Sequence, residues 1–573
     1  MFIDVHNPVA RTPSARAFPL LLKQLWITPL ANSPAREIVY RDGRRFTYRQ
    51  TWARIARLAS ALAELGVRPG MTVAVMDWDS HRYFECFFAI PMMGCVLQTV
   101  NVRLSRAQVA YTLNHAEADV VLANAEFVPL LDAIRDDLTR KITFVLLSDA
   151  TPASPPAAPF AGEYETLLAR ASAAYDFPDF DENTRATTFY TTGTTGEPKG
   201  VYYSHRQLVL HTLAIAGWLG TAPVQGRLHR EDVYMPITPM FHVHAWGMPY
   251  AATLLGLKQV YPGRYDGATL LRLIRDEKVT FSHCVPTLLQ MLLDHPDSKL
   301  TDLSHLKMVI GGSALSPGLC RRALERGIDV FTGYGMSETC PIQTVLHLSS
   351  TEAATSIEQQ AELRTLTGSP FMLCDVRVAD DAVRGQPHDG VSQCEVVFRS
   401  PWLTQGYLKD PARSEALWRG GYLHSGDIGS IDSDGRLRIT DRLKDVIKTG
   451  GEWVSSLTLE GLISRIPGVS EVAVIAVPDP KWGERPLALV VPQAGATLTS
   501  DSIRAELEQA AHAGAIGTYA VPDAIRFVES LAKTSVGKLD KKKLRQLHAT
   551  APAAPSAGSH PNPTPATAQR RTP

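Results

Sequence analysis

Between Arg49 and Leu65 the apolar residues Trp52, Ile55, Leu58, Leu62 and Leu65 fall three or four positions apart. That spacing puts them on one face of a helix, and Gly66 stands where a C-terminal cap belongs. Arg68-Pro69-Gly70 reads as a turn, and the run Met71 to Met76 predicts a buried strand. Similar alternation returns around Leu270 to Ile274, Val279 to Val285, Leu306 to Ile310 and Ile328 to Phe331. Helices alternating with short apolar strands predict α/β layers with parallel strands. The pattern changes after about Asp441. Helix-like Leu457 to Ile466 and Ser500 to Ala513 interleave with strand-like Glu471 to Val477, Pro486 to Val491 and Ala524 to Val528. This predicts a small α+β domain after a large α/β one.

The Pro- and Ala-rich stretch Ala150 to Ala161 reads as a surface loop. Beyond about Ala549 the chain is mostly Pro, Ala, Ser and Thr, which cannot bury enough apolar surface to order itself. The expected division is therefore residues 1–441, 442–548 and a disordered tail, 549–573. No internal repeat is evident.

Composition narrows the function classes. The chain has 573 residues, and 58 Lys and Arg balance 58 Asp and Glu, for a formal net charge of zero. A general electrostatic field for nucleic acid is therefore not expected. Seven widely spaced cysteines form no Cys-x-x-Cys pair, which fits a reducing compartment and carries no zinc signature. No apolar run is long enough to span a bilayer, and the N-terminus lacks the basic and apolar regions of a secretory signal. A cytoplasmic protein is expected.

The strongest chemical signal is Tyr190-Thr191-Thr192-Gly193-Thr194-Thr195-Gly196-Glu197-Pro198-Lys199-Gly200. Glycines let backbone N–H groups approach polyphosphate oxygens, and the hydroxyls and Lys199 add donors. It is not a Walker A loop, because the spacing from Gly196 to Lys199 is too short and Gly200 replaces the needed Ser or Thr. Further on stand Gly311-Gly312-Ser313-Ala314 after a strand, Gly333-Tyr334-Gly335-Met336-Ser337-Glu338-Thr339, and Tyr422-Leu423-His424-Ser425-Gly426-Asp427. Asp441-Arg442-Leu443-Lys444-Asp445, Thr449-Gly450-Gly451-Glu452-Trp453 and Lys533-Thr534-Ser535-Val536-Gly537-Lys538-Leu539 complete the series. Read singly, several of these are turns or solvated charge runs.

Together, and in this order, they resemble the adenylate-forming superfamily of acyl-CoA synthetases, luciferases and peptide-synthetase adenylation domains, over roughly residues 20–548. The resemblance is greatest to medium- and long-chain fatty acid–CoA ligases. It implies that Thr191, Thr192, Gly193, Thr194 and Thr195 with Lys199 bind phosphates. Gly312, Ser313 and Ala314 would lie along adenine, and Tyr334 would pack on it. Ser337 would contact the α-phosphate, and Glu338 would hold Mg²⁺. Asp427 would accept the ribose hydroxyls and Arg442 would contact ribose or phosphate. Lys538 would be the adenylation lysine, and Lys444 the pivot of a mobile C-terminal domain. Gly450 and Gly451 would border the channel for coenzyme A.

Pro239-Met240-Phe241-His242-Val243-His244-Ala245-Trp246-Gly247 resembles the family's acyl gate, with His242 at the gating position and Gly335 also facing the acid. As a His-x-His pair His242 and His244 lack a third metal ligand at usable spacing. The implied substrates are a carboxylic acid, ATP with Mg²⁺, and coenzyme A, and a homodimer is compatible with this. Two rivals stand beside that reading. One is a ligase that loads a carrier protein or feeds oxygen chemistry, and the other is a catalytically inert nucleotide binder. Within the main reading, methylthiopropionate and aryl acids compete with fatty acids.

Overall fold

The computed structural model describes residues 9–41, 43–149, 160–191, 197–222, 228–534 and 537–549. Thr192 to Thr195, Ser535, Val536, most of the stretch from Ala150 and the tail beyond 549 lie outside the described residues.

The helix expected at Arg49 to Leu65 runs from Tyr48 to Glu64. Thr47 and Gln50 close a reciprocal capping box at its start. At its end Val67 N donates to Leu62 O and Gly66 N to Ala63 O, with Gly66 at φ +93°. This is the paired closure that a left-handed glycine permits.

A seven-stranded sheet takes the spatial order 160–163, 143–147, 118–124, 72–76, 96–99, 185–191, 199–204. All neighbours are parallel except the last pair. Phe160 and Ala161, expected in a loop, instead open its edge strand, where the Phe160 ring meets Phe144 at 6.2 Å. Helix His81–Met92 crosses between strands 72–76 and 96–99 and is buried on every side. Burial of that kind marks an internal helix, and its buried charges are paired, Glu85 with Arg54 and Arg82 with Asp149.

A nine-stranded sheet runs 369–370, 342–345, 329–335, 307–310, 281–284, 233–236, 258–261, 37–40, 44–47, with parallel strands through its centre. One continuous apolar core joins the two sheets. A four-stranded antiparallel sheet of residues 375–379, 394–399, 423–431 and 437–442 packs alongside. The terminal domain has its own five-stranded sheet and two small cores. Its helices are Ser456–Ser464, Ser500–His512 and Lys541–His548. The expected pair of layers, a large α/β body and a small α+β unit, is thus the observed architecture. The antiparallel sheet between them has no counterpart in the expectation.

Candidate active site

Parallel sheets bind ligands beyond the carboxyl ends of their strands. A cleft lies there, past strands 307–310 and 329–335, with about 360 Å³ of atom-free space, part of it open to solvent. Gly312, Tyr334, Gly335, Ser337, His242 and Lys538 all line it. Residues separated by some three hundred positions therefore share one wall.

Two glycines there have a steric reason. A Cβ on Gly311 would sit 2.6 Å from Gly333 O, and one on Gly335 would sit 1.8 Å from Pro341 O. Only a bare backbone lets the turns close on one another. Ser313 and Ala314 lie exposed beside the cleft and do not line it.

Lys538 enters from the terminal domain. Thr287 Oγ1 donates to Gly537 O at 2.7 Å, pinning the lysine loop to the large domain. The lysine stem packs so closely that a Cβ on Gly312 would meet Lys538 Cε at 3.0 Å. Burial, then the Arg442 guanidinium, lower the Lys538 ammonium to about 8, while Asp427 and Glu338 oppose the shift. His242 is pushed down to about 3 by burial and then by Lys538, so its imidazole is neutral.

Tyr334, Asp427 and Arg442, expected from the resemblance to face adenine and ribose, meet as a hydrogen-bonded set. Tyr334 Oη donates to Asp427 Oδ2 at 2.7 Å, and Arg442 Nε lies 3.3 Å from Asp427 Oδ1. A hydroxyl bonded to a carboxylate is worth about 1.5–3 kcal/mol. Asp427 and Arg442 are brought opposite each other by the register of strands 423–431 and 437–442.

Thr191 and Lys199, expected from the resemblance to meet phosphates, end the two strands of a hairpin. Strands 185–191 and 199–204 are antiparallel, and Thr191 pairs with Lys199. Lys199 Nζ stands 4.6 Å above the Tyr407 ring, and Tyr407 Oη donates to Glu338 Oε1 at 2.7 Å. Tyr407 thus joins the cation to the carboxylate. No local signal marked it, because its partners lie about seventy and two hundred residues away. Glu338 is buried, follows the cleft residue Ser337 and holds its carboxylate near enough to Lys538 to favour the charged lysine. One carboxylate with phosphates and water is an ordinary Mg²⁺ set, so the donors fit that ion.

The segment expected from the resemblance to gate the acid forms an unusual turn. Val243, His244, Ala245 and Trp246 have φ of 47°, 54°, 48° and 59°, and Gly247 follows at 75°. Left-handed backbone costs about 1–2 kcal/mol per ordinary residue. The surroundings hold it. Met240 N donates to buried Asp79 Oδ1 at 2.7 Å ahead of the turn, and the Trp246 ring packs on His283 at 5.0 Å. Trp246 lines the cleft, a position sequence reading assigned to His242 alone. His244 instead points into the core, with Phe189 at 5.3 Å and Phe87 at 5.7 Å.

Gly450 and Gly451 do not line the cleft. Gly450 N donates to Trp482 O at 2.8 Å, with φ +60°, and nothing lies within 4 Å of a Cβ on Gly451. Lys444 is exposed, between exposed Leu443 and the Asp445–Arg545 ion pair of 2.9 Å.

With this geometry in place, the chain matches the AMP-binding enzyme family over residues 28–408, and the AMP-binding enzyme C-terminal domain over residues 458–538. The chain belongs to the AMP-binding enzyme family. It is an acyl-CoA synthetase of the adenylate-forming superfamily, as the motif series led one to expect. It is 42% identical over 505 residues to a long-chain-fatty-acid–CoA ligase of Thermus thermophilus, covering 88% of this chain and 90% of that one. It is 37% identical over 538 residues to a 3-methylmercaptopropionyl-CoA ligase of Ruegeria lacuscaerulensis, covering 92% and 98%. In fold it is similar to an anthranilate CoA ligase solved with anthranoyl-AMP, at a TM-score of 0.81 and 24% identity, covering 92% of this chain and 98% of that one. Among the described residues of this AMP-binding enzyme, no helix is long and apolar enough to cross a membrane.

Proposed function

We propose that the protein joins an aliphatic carboxylic acid of medium or long chain to coenzyme A, by way of an acyl-AMP formed from ATP. The observation that carries this reading is Lys538, a terminal-domain cation buried in the cleft between Gly312 and the His242 turn. A carboxylate is repelled by the triphosphate it must attack. Lys538 would hold the carboxylate against the α-phosphate, which aligns the in-line displacement and offsets charge in its transition state. Lys199 and the phosphate loop would take the departing pyrophosphate. Glu338 would hold Mg²⁺, whose contribution is to screen the phosphate charge. Tyr334 and Ser337 would seat adenosine and the α-phosphate, and Asp427 and Arg442 would fix the ribose.

In the second step the thiol of coenzyme A attacks the acyl carbon and AMP leaves. Rotation of the terminal domain about Lys444 would withdraw Lys538 and bring Gly450 and Gly451 to the thiol channel. A short thioether acid is the second reading of the substrate, favoured by the 37% identity to the 3-methylmercaptopropionyl-CoA ligase. The free cysteines suit a reducing compartment, and we place the protein in the cytoplasm.

The test is a panel of aliphatic, thioether and aromatic acids, read as AMP release with and without coenzyme A. AMP release that needs both an aliphatic acid and coenzyme A is expected. Release with a phosphopantetheinylated carrier, and none with free coenzyme A, would overturn the ligation step.

A further inference from the structure

Strand 423–431 loses its regular pairing just where it carries Asp427. Strand 394–399 pairs Glu395 with Ile428 and Val397 with His424, so Val396 alone faces Ser425, Gly426 and Asp427. A bulge of this kind takes backbone groups out of the ladder and re-aims a side chain. Here the re-aimed side chain is Asp427, which meets Tyr334 and Arg442. At the centre of the bulge stands Gly426, with φ +70° and nothing within 4 Å of a Cβ. Packing does not fix such a glycine, so its hydrogen bonds decide where the peptide lies.

Those bonds come from outside the strand. Gly426 N donates to Glu395 Oε1 at 2.9 Å, and Leu443 N donates to Gly426 O at 2.9 Å. The other oxygen of the same carboxylate, Glu395 Oε2, lies 2.8 Å from His424 Nδ1 and 3.6 Å from Arg419 Nη2. A carboxylate only accepts, so His424 Nδ1 is the donor. Next to the glycine, Asp427 N donates to Ser425 Oγ at 3.0 Å, and Ser425 Oγ donates to Val396 O at 2.6 Å. Glu395 itself does not line the cleft, and its side chain is 17% exposed. A largely buried carboxylate thus gives both oxygens to the residues that lead into Asp427. Bonds to a charged acceptor are about twice as strong as neutral ones.

We propose that Glu395 is a positioning residue for the nucleotide. By clamping the Gly426 peptide it fixes the Asp427 carboxylate where the ribose hydroxyls of ATP would meet it. This rests on reading Asp427 as the ribose acceptor. Glu395 acts only through Asp427 and touches neither nucleotide nor acid.

The experiment measures Kd for ATP and for 2′,3′-dideoxy-ATP by calorimetry with Mg²⁺ present. A site built to bond a hydroxyl rejects the analogue without it, so the native protein should favour ATP by about tenfold or more. Glu395→Ala, checked for an unchanged melting profile, should bring that ratio towards one by weakening ATP and leaving dideoxy-ATP nearly unchanged. Glu395→Gln should keep most of the preference. Its carbonyl oxygen still accepts from Gly426 N, and its amide can donate to the other tautomer of His424. Ser425→Ala removes the acceptor of Asp427 N, so it should lower the ratio too and replaces Glu395→Ala if that variant does not fold. A ratio unmoved in the alanine variant, equal weakening of both nucleotides, or a Gln variant no better than Ala overturns the proposal. A native protein that binds both nucleotides equally, or an Asp427→Ala variant that keeps the preference, would instead overturn the ribose reading, and this one with it.

Discussion

The terminal domain presents two glycine-bearing loops with opposite fates. The loop at Gly537-Lys538 is inserted into the large domain, tied by Thr287 and packed on Gly312. The hairpin at Gly450-Gly451 stands away from the cleft, and its neighbours Trp453 and Trp482 are about half exposed. A lysine buried with its pKa lowered to about 8, in a domain whose other loop leaves aromatic rings in water, describes a domain docked by one of two faces. The proposed two-step reaction gives each face its turn. On the proposed reading, the insertion of Lys538 suits the first.

The largest expected effect tests the inserted face. Lys538→Ala should lower acyl-AMP formation by about a hundredfold or more, the scale of losing one placed charge donor, while transfer from supplied acyl-AMP to coenzyme A changes little. Equal loss in both half-reactions would break the distinction between the faces. The converse comes from Gly450→Val. Valine tolerates φ +60° poorly, and its Cβ would lie 2.9 Å from the Trp482 ring. Transfer to coenzyme A should fall about tenfold with acyl-AMP formation nearly intact, as measured by separate single-turnover assays.

The pH dependence sharpens the same contrast. The lowered Lys538 loses its proton as pH rises through about 8, well below an ordinary lysine. The kcat/KM for pyrophosphate exchange, which reports the free enzyme, should therefore decline above about pH 8. A flat profile to pH 10, near an ordinary lysine, would remove Lys538 from the charged role. The smallest effect concerns Tyr407→Phe. Losing the 2.7 Å bond to Glu338 should slow acyl-AMP formation about fivefold and raise the Mg²⁺ concentration needed for half-maximal rate.

Much of the body was legible because periodicity reports burial. The helix at Tyr48–Glu64 and the strands of the terminal domain fall within a few residues of their expected bounds. The four-stranded antiparallel sheet was missed, since its half-exposed strands carry no long apolar run. At the site, motif residues were found because glycines, hydroxyls and charges cluster locally. Tyr407, Trp246 and Thr287 were not, since each acts through a partner remote in sequence. The strained turn at Val243–Trp246 was also hidden, as nothing in a Val-His-Ala-Trp run asks for left-handed backbone.

The order of residues alone thus determined the family and the fold class, and it named the residues expected to meet the nucleotide. These depend on local chemistry, on glycine where backbone must approach and on lysine or carboxylate where charge must be met. Only the tertiary structure decided which loop of the terminal domain occupies the cleft, where Lys538 packs on Gly312. That depends on packing between distant segments, and burial there lowers the lysine ammonium below its ordinary range.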